Sequence, residues 1–272
     1  MHVLGIIASP RKLGNSEICV KEILRSLPKE WEKEIINISQ LHLEPCRACY
    51  ACLPKGKDCV IDDGLALFLA KLRGADRVVI AAPVYFLGEQ TAVKLLTDRL
   101  ISILNEGERY FLNKPCVIVI PHAIKGWEGY AREAMLNFAA FLGLKVLACR
   151  VMNKMLPGDV VDAEGLNILH TLATALQQNK ETKWSSSAEL LCPICHSSLL
   201  QVRQDKSWHC VMCDSQGLIL ESDGKLHLTV TSEESLRYSP EGLAQHGQVL
   251  LNVNKEFIKR RREVIMHLKP YK

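Results

Sequence analysis

No stretch of eighteen apolar residues occurs in this 272-residue chain, so no membrane-spanning helix is expected. The opening MHVLGIIASPRK places its charge after the apolar run, where a secretory leader would place it before. A cytoplasmic protein is the expectation. The formal net charge is only +4, which by itself does not call for nucleic acid. The dinucleotide fingerprint G-x-G-x-x-G is absent, and so is the lysine loop that holds ATP. No side chain stands out as a dedicated acid, base or nucleophile, so any catalysis is expected to rest on a bound cofactor.

What is present reads as an ordinary globular protein, 48% hydrophobic and 24% charged, long enough for one domain and a small appendix. Short Val- and Ile-rich runs, His2 to Ala8, Glu34 to Ser39, Asp76 to Ala82, Pro115 to Pro121 and Lys145 to Met152, read as strands. Between them and after the last, Ser16 to Leu27, Gly64 to Arg73, Glu89 to Leu104, Trp127 to Leu142 and Ala163 to Gln178 carry apolar residues three and four apart. Five such alternations predict an α/β fold, a doubly wound parallel sheet with helices on both faces. In the order 2-1-3-4-5 the ligand crevice lies between the first and third strands, so the loops after those strands should be unusual.

They are. Ser9-Pro10-Arg11-Lys12-Leu13-Gly14-Asn15-Ser16 gathers hydroxyls, an amide and a guanidinium at a helix start, which suits a monophosphate. The alternative is a solvated loop in which Asn15 or Ser16 caps the helix. After the third strand, Pro83-Val84-Tyr85-Phe86 ends in two aromatics that a planar ligand would cover, or that pack under the next helix. A third loop at the same edge, after the fourth strand, brings His122 and Trp127 as further candidates for ring contact, with an exposed loop histidine as the alternative.

ASPRKLGNS followed by APVYFLGEQTAVKLLTDRL resembles the NADPH-dependent FMN reductase group of flavodoxin-like proteins, over about residues 1 to 180. The resemblance implies that Ser9, Arg11, Asn15 and Ser16 hold the FMN phosphate. It also implies that Pro83, Val84, Tyr85 and Phe86 meet the isoalloxazine. Many relatives have a small Gly- and Ser-rich turn where this chain has Leu87-Gly88-Glu89-Gln90.

Eleven cysteines in a chain expected in a reducing compartment point to metal rather than to disulfides. Cys46, Cys49, Cys52 and Cys59 follow a compact C-x2-C-x2-C-x6-C spacing that lets one loop offer four thiolates, which favours a 4Fe-4S cluster over zinc. With the acidic Ile61-Asp62-Asp63 after it, the motif is similar to that of the iron-sulfur flavoproteins. In that family FMN and cluster exchange electrons, and homo-oligomers bring one subunit's cluster near another's flavin. The resemblance thus implies electron transfer with a nicotinamide, ferredoxin or other redox partner, in a dimer or tetramer. Cys19, Cys116 and Cys149 fall on apolar periods and read as core thiols.

Beyond Gln178 the sequence turns polar and serine-rich, marking a linker over 181–189. Cys192-x-x-Cys195 and Cys210-x-x-Cys213 then form two knuckles at zinc-ribbon spacing over 190–232; rubredoxin-type iron uses similar knuckles. Leu218 to Val230, with Asp223-Gly224 in the middle, reads as a hairpin. The remaining 233–272 reads as a basic helical tail. Its stretch from Lys255 holds seven Lys or Arg against two Glu, a local +5 best explained as a solvated helix face. Two readings follow. One is a flavin-dependent oxidoreductase joining FMN, cluster and an outside donor or acceptor. The other is a redox-sensing regulator or scaffold whose ribbon and tail bind a protein or nucleic acid.

Overall fold

A computed structural model of the chain describes residues 1–53, 58–104, 111–182, 184, 189–232 and 236–271, without the side chains of Ser232 and Asn254. Parts of the cysteine-loop, linker and tail-start readings therefore lie outside the described residues.

The chain runs β1 (His2–Ile7), α1 (Asn15–Ser26), β2 (Glu32–Asn37), α2 (Gly64–Gly74), β3 (Arg77–Ala81), α3 (Thr91–Thr97), β4 (Pro115–His122), α4 (Ala131–Phe141), β5 (Lys145–Asn153) and α5 (Ala163–Gln178). The five strands pair in parallel in the order β2-β1-β3-β4-β5, the flavodoxin-like arrangement. The period of two along each strand divides the core. Leu4, Ile6, Ile80 and Ile118 face α2, α3 and α4 with Phe68 and Phe138, whereas Val3, Ile7, Val79 and Val117 face α1 and α5 with Ile23 and Leu172. Each such side chain, fully buried, contributes about 1.5–3 kcal/mol, and the rigid sheet edge they create carries the loops that matter.

Two expectations need correction. The helix expected over Glu89 to Leu104 begins at Thr91, stops at Thr97 and resumes as a 3-10 turn over Leu100–Ile103: Arg99 N bonds to Leu96 O at 2.9 Å, a step of three residues rather than four, and the Arg99 side chain is only 1% exposed. The helix expected from Trp127 begins only at Ala131, because Gly126 and Gly129 adopt φ of 79° and 54°, left-handed values that break a helix. The core reading of three cysteines matches their burial: Cys19, Cys116 and Cys149 are 0, 0 and 4% exposed.

A second, antiparallel sheet follows: β6 (Leu200–Val202), β7 (Ser207–Cys210), β8 (Gln216–Ser222) and β9 (Lys225–Ser232), in that order. Asp223 and Gly224, with φ of 54° and 68°, make the tight turn between β8 and β9. Trp208 is fully buried at its centre and donates its indole N–H to Thr229 O at 3.0 Å. This unit docks on α4. Arg132 donates to His196 O at 2.7 Å, the Ser198 hydroxyl to Glu133 at 2.7 Å, and the Tyr238 hydroxyl to Asn137 at 2.6 Å, while Trp184 stacks on His196 at 4.0 Å. The chain ends in α6 (Pro240–Leu268), capped by the Ser239 hydroxyl. Among the described residues no helix is long and apolar enough to cross a membrane.

Candidate functional site

The loops after β1, β3, β4 and β5 meet around a cavity of about 160 Å3 at the carboxyl edge of the sheet. Eight of the nine residues expected to hold a flavin line it: Ser9, Arg11, Asn15, Ser16, Pro83, Val84, Tyr85 and His122. Among the described residues no side chain caps α1, and its first residues, Asn15 and Ser16, line this cavity with Gly14 and Ser9, so the orphan N–H groups of a helix start lie at its wall. The capping alternative for Asn15 and Ser16 is thereby set aside. Asn15 has a different job: its amide donates to Lys154 O at 3.1 Å and accepts from Gly158 N at 2.9 Å, tying the first loop to the one after β5. Lys154 and Met155, which line the cavity too, carry no sequence motif that singles them out.

Phe86 stands apart. Tyr85 and Gly88 exchange backbone hydrogen bonds at 2.9 and 3.1 Å around a two-residue turn with Phe86 and Leu87 at φ of 49° and 69°. Phe86 sits at the tip of that turn, 97% exposed, and does not line the cavity. The loop after β4 packs against this turn: Tyr130 N donates to Leu87 O at 2.8 Å, and Trp127 and Tyr130 remain more than half exposed beside it. His122, 9% exposed, is held by its Nδ1–H on Ile124 O at 3.2 Å.

The two cysteine quartets differ in size. Cys46, Cys49, Cys52 and Cys59 ring a separate cavity of about 260 Å3, closed on one side by His246 and Leu250 of α6. Burial, then the neighbouring thiols led by Cys59, pushes the Cys52 thiol up. Arg99 braces this loop. Its guanidinium pairs with Asp63 and donates to Glu44 O at 3.2 Å and to the Cys59 sulfur at 3.3 Å. Sequence reading missed Arg99, although its place three residues after the buried Leu96 puts a cation on the buried face of the expected helix.

Cys192, Cys195, Cys210 and Cys213 are, among the described residues, the one group whose ligand atoms all lie within 4.8 Å of one another. The Cys192–Cys213 and Cys195–Cys210 sulfurs are 3.6 and 3.5 Å apart. A tetrahedral zinc with Zn–S of about 2.3 Å places its sulfurs ~3.8 Å apart, so this quartet fits a single ion. The Ser215 hydroxyl lies 3.1 Å from both the Cys192 and Cys213 sulfurs. The neighbouring Cys195, Cys210 and Cys213, with the Ser215 hydroxyl, push the Cys192 thiol toward the thiolate.

Residues 1–154 match the family described as NADPH-dependent FMN reductase. The chain belongs to that family. It is 39% identical over 100 residues to an iron-sulfur flavoprotein of Methanocaldococcus jannaschii, covering 36% of this chain and 51% of that protein. It is 37% identical over 103 residues to an iron-sulfur flavoprotein of Methanosarcina thermophila, covering 37% and 53%. The chain thus spans about half the length of these curated relatives. An iron-sulfur flavoprotein of Archaeoglobus fulgidus is 28% identical over 169 residues, covering 60% of this chain and 82% of that protein. Among solved structures, a flavone reductase superposes over 99% of this chain and 98% of its own with a TM-score of 0.73 at 20% identity. That likeness shows a shared fold, and its coverage takes in the second sheet and α6 as well as the FMN reductase core.

Proposed function

We propose that this chain is a flavin-dependent oxidoreductase of the iron-sulfur flavoprotein type. FMN sits at the sheet edge, its phosphate on the α1 N-terminus with Ser9, Arg11 and Ser16, its ring beside Val84, Tyr85 and His122. Asn15 holds the phosphate loop in place, and Phe86 covers the ring from outside the cavity. The observation that carries this reading is the convergence of eight expected residues on one cavity at the sheet's switch point. When bound, FMN takes up two electrons and releases them singly, while a 4Fe-4S cluster carries one. Cys46, Cys49, Cys52 and Cys59, whose sulfurs do not gather within 4.8 Å as the second quartet's do, hold that cluster, and the pair joins a nicotinamide donor to a ferredoxin-like or other one-electron partner. The tighter quartet of Cys192, Cys195, Cys210 and Cys213 holds zinc and stabilises the ribbon, a sheet too small to bury a core of its own. The division follows as an FMN domain over 1–180, a linker over 181–189, a ribbon over 190–232 and a tail over 233–272, working in the cytoplasm as a homo-oligomer.

Anaerobic purification followed by iron, zinc and flavin counts and a visible spectrum tests this directly. The expected result per chain is four iron, one zinc and one FMN. Protein that is colourless and stays so after soaking in FMN refutes it. The exposed, basic α6 supports the second reading, a regulator whose tail binds a partner. A mobility-shift assay at physiological salt that finds tight, ribbon-dependent DNA binding would favour that reading instead.

A further inference from the structure

Arg99 makes more contacts with the cysteine loop than packing requires. It is 1% exposed, follows the break after α3, and lines the cavity ringed by the four sulfurs. One nitrogen serves Asp63 and Glu44 O; the other serves the Cys59 sulfur at 3.3 Å and Ile61 O at 3.4 Å. A single planar fork therefore touches the chain two residues before Cys46 and again from Cys59 onward. Asp63 closes the same latch, accepting from Glu44 N at 2.8 Å and Leu65 N at 3.1 Å, so one carboxylate both joins the loop's ends and caps α2. The Asp63 side chain is wholly buried, and water does not compete for the pair. The Arg99 Nε–H has no partner among the described residues, leaving a buried donor at the wall of this cavity.

Resting on the reading of this loop as a cluster site, we propose that Arg99 is its positioning residue: it fixes Cys59 as the fourth ligand and favours the reduced form of the cluster. A donor on a ligand sulfur stabilises the more negative state over the less negative one and so raises a cluster's potential; the guanidinium's charge is balanced by the Asp63 carboxylate, so the bond to the Cys59 sulfur carries the effect. The couple is a one-electron reduction by an outside reductant, with no bond made or broken. Lysine keeps the charge but not the fork, so it can pair with Asp63 without also holding the Cys59 sulfur.

The test uses the full chain, purified without oxygen, reconstituted with iron and sulfide, and titrated with dithionite while its paramagnetic resonance and visible spectra are followed. Arg99→Lys should keep its FMN and shift the cluster's reduction equilibrium about tenfold toward the oxidised form, a midpoint ~59 mV lower for one electron. A second variant, Arg99→Gln with Asp63→Asn, removes both charges together and leaves no orphaned ion; it should shift in the same direction. Loss of iron from either variant with FMN retained also supports the assignment. Full iron and a wild-type midpoint in both variants overturn it. If Arg99→Lys loses flavin as well, it has not folded, and the double variant decides by the same criteria. Wild-type protein without cluster iron overturns the cluster reading itself, and this inference with it.

Discussion

Replacing Gly129 by alanine should loosen flavin binding without unfolding the protein. The argument is one of contact distance. A Cβ on Gly129 would lie 2.2 Å from Leu87 O and 2.7 Å from Leu87 Cα, backbone atoms that no change of rotamer can move aside. The loop after β4 must then part from the turn after β3, which breaks the 2.8 Å bond from Tyr130 N to Leu87 O. Overpacking of this kind costs about 1–3 kcal/mol and the lost hydrogen bond ~1 kcal/mol. Binding must close the gap again, so the strain, less the ~1 kcal/mol bond regained on closing, leaves a penalty of up to about 2 kcal/mol and weakens FMN affinity by up to about 30-fold. Gly126→Ala is the control. Gly126 has the same left-handed backbone, φ 79°, but a Cβ there meets nothing within 4 Å. It should cost about 1–2 kcal/mol of stability from its dihedral alone and leave the affinity within about twofold. Titrating apoprotein with FMN by fluorescence quenching, alongside thermal unfolding, separates the two effects. Equal FMN affinities for the two variants would refute the idea that the paired loops shape the cavity.

Cys192→Ala should release zinc and open the ribbon to limited proteolysis while both chromophores persist; bleaching of either would mean that the metals are misassigned. Deleting residues 240–272 removes His246 and Leu250 from the wall of the cysteine cavity, so iron-sulfur absorbance should bleach faster in air, and an unchanged rate would deny α6 a covering role. Stability should fall in alkali. Burial pushes the Cys19 and Cys149 thiols up to about 12 from an ordinary value of 9.0. Groups raised in the folded state stabilise it fully below the unfolded value and lose that contribution as pH climbs from 9.0 towards 12. Each thiol should therefore cost up to about 1.4 kcal/mol per pH unit across that window. Urea unfolding at pH 7, 9 and 10 measures the slope, and Cys19→Ala should flatten it; an unflattened slope would assign the loss to other groups.

The parallel sheet was legible because β1, β3 and β4 are buried on both faces and so read as unbroken runs of Val and Ile. Ser9, Arg11, Tyr85 and His122 were legible as a group because strand order alone decides which loops share an edge. Less legible was what depends on a partner distant in sequence. Asn15 reads as a helix cap or phosphate ligand, and nothing in the sequence shows that both ends of its amide also bond to the loop after β5. Phe86 reads as a ring contact, but nothing in the sequence shows that the left-handed pair at 86 and 87 sets it at the tip of an exposed turn, outside the cavity. Helix α3 reads as sixteen residues because its apolar period continues to Leu104. The turn tightens at Arg99, whose partner Asp63 lies thirty-six residues earlier and so leaves no local signal.

The two cysteine quartets use the same C-x-x-C spacing to opposite ends, and the backbone shows how. In the ribbon each knuckle closes on itself: His196 N bonds to Cys192 O at 2.9 Å and Asp214 N to Cys210 O at 3.0 Å, with His196 and Asp214 at φ of 60° and 74° just past the second cysteine. That geometry folds both sulfurs of a knuckle toward one point, and two facing knuckles bring all four within 4.8 Å of one another. In the first loop the left-handed residues are Ala48 and Tyr50, on either side of Cys49, with φ of 47° and 55°. Reversing the chain around the middle cysteine spreads consecutive sulfurs around a cavity instead of gathering them at a point. The fourth sulfur comes from Cys59, held from outside by Arg99 rather than by a knuckle of its own. The left-handed residue thus follows the second cysteine of each ribbon knuckle and flanks the middle cysteine of the first loop, and the two quartets differ in how closely their sulfurs gather. A chelator specific for zinc should accordingly strip the ribbon and leave the iron in place.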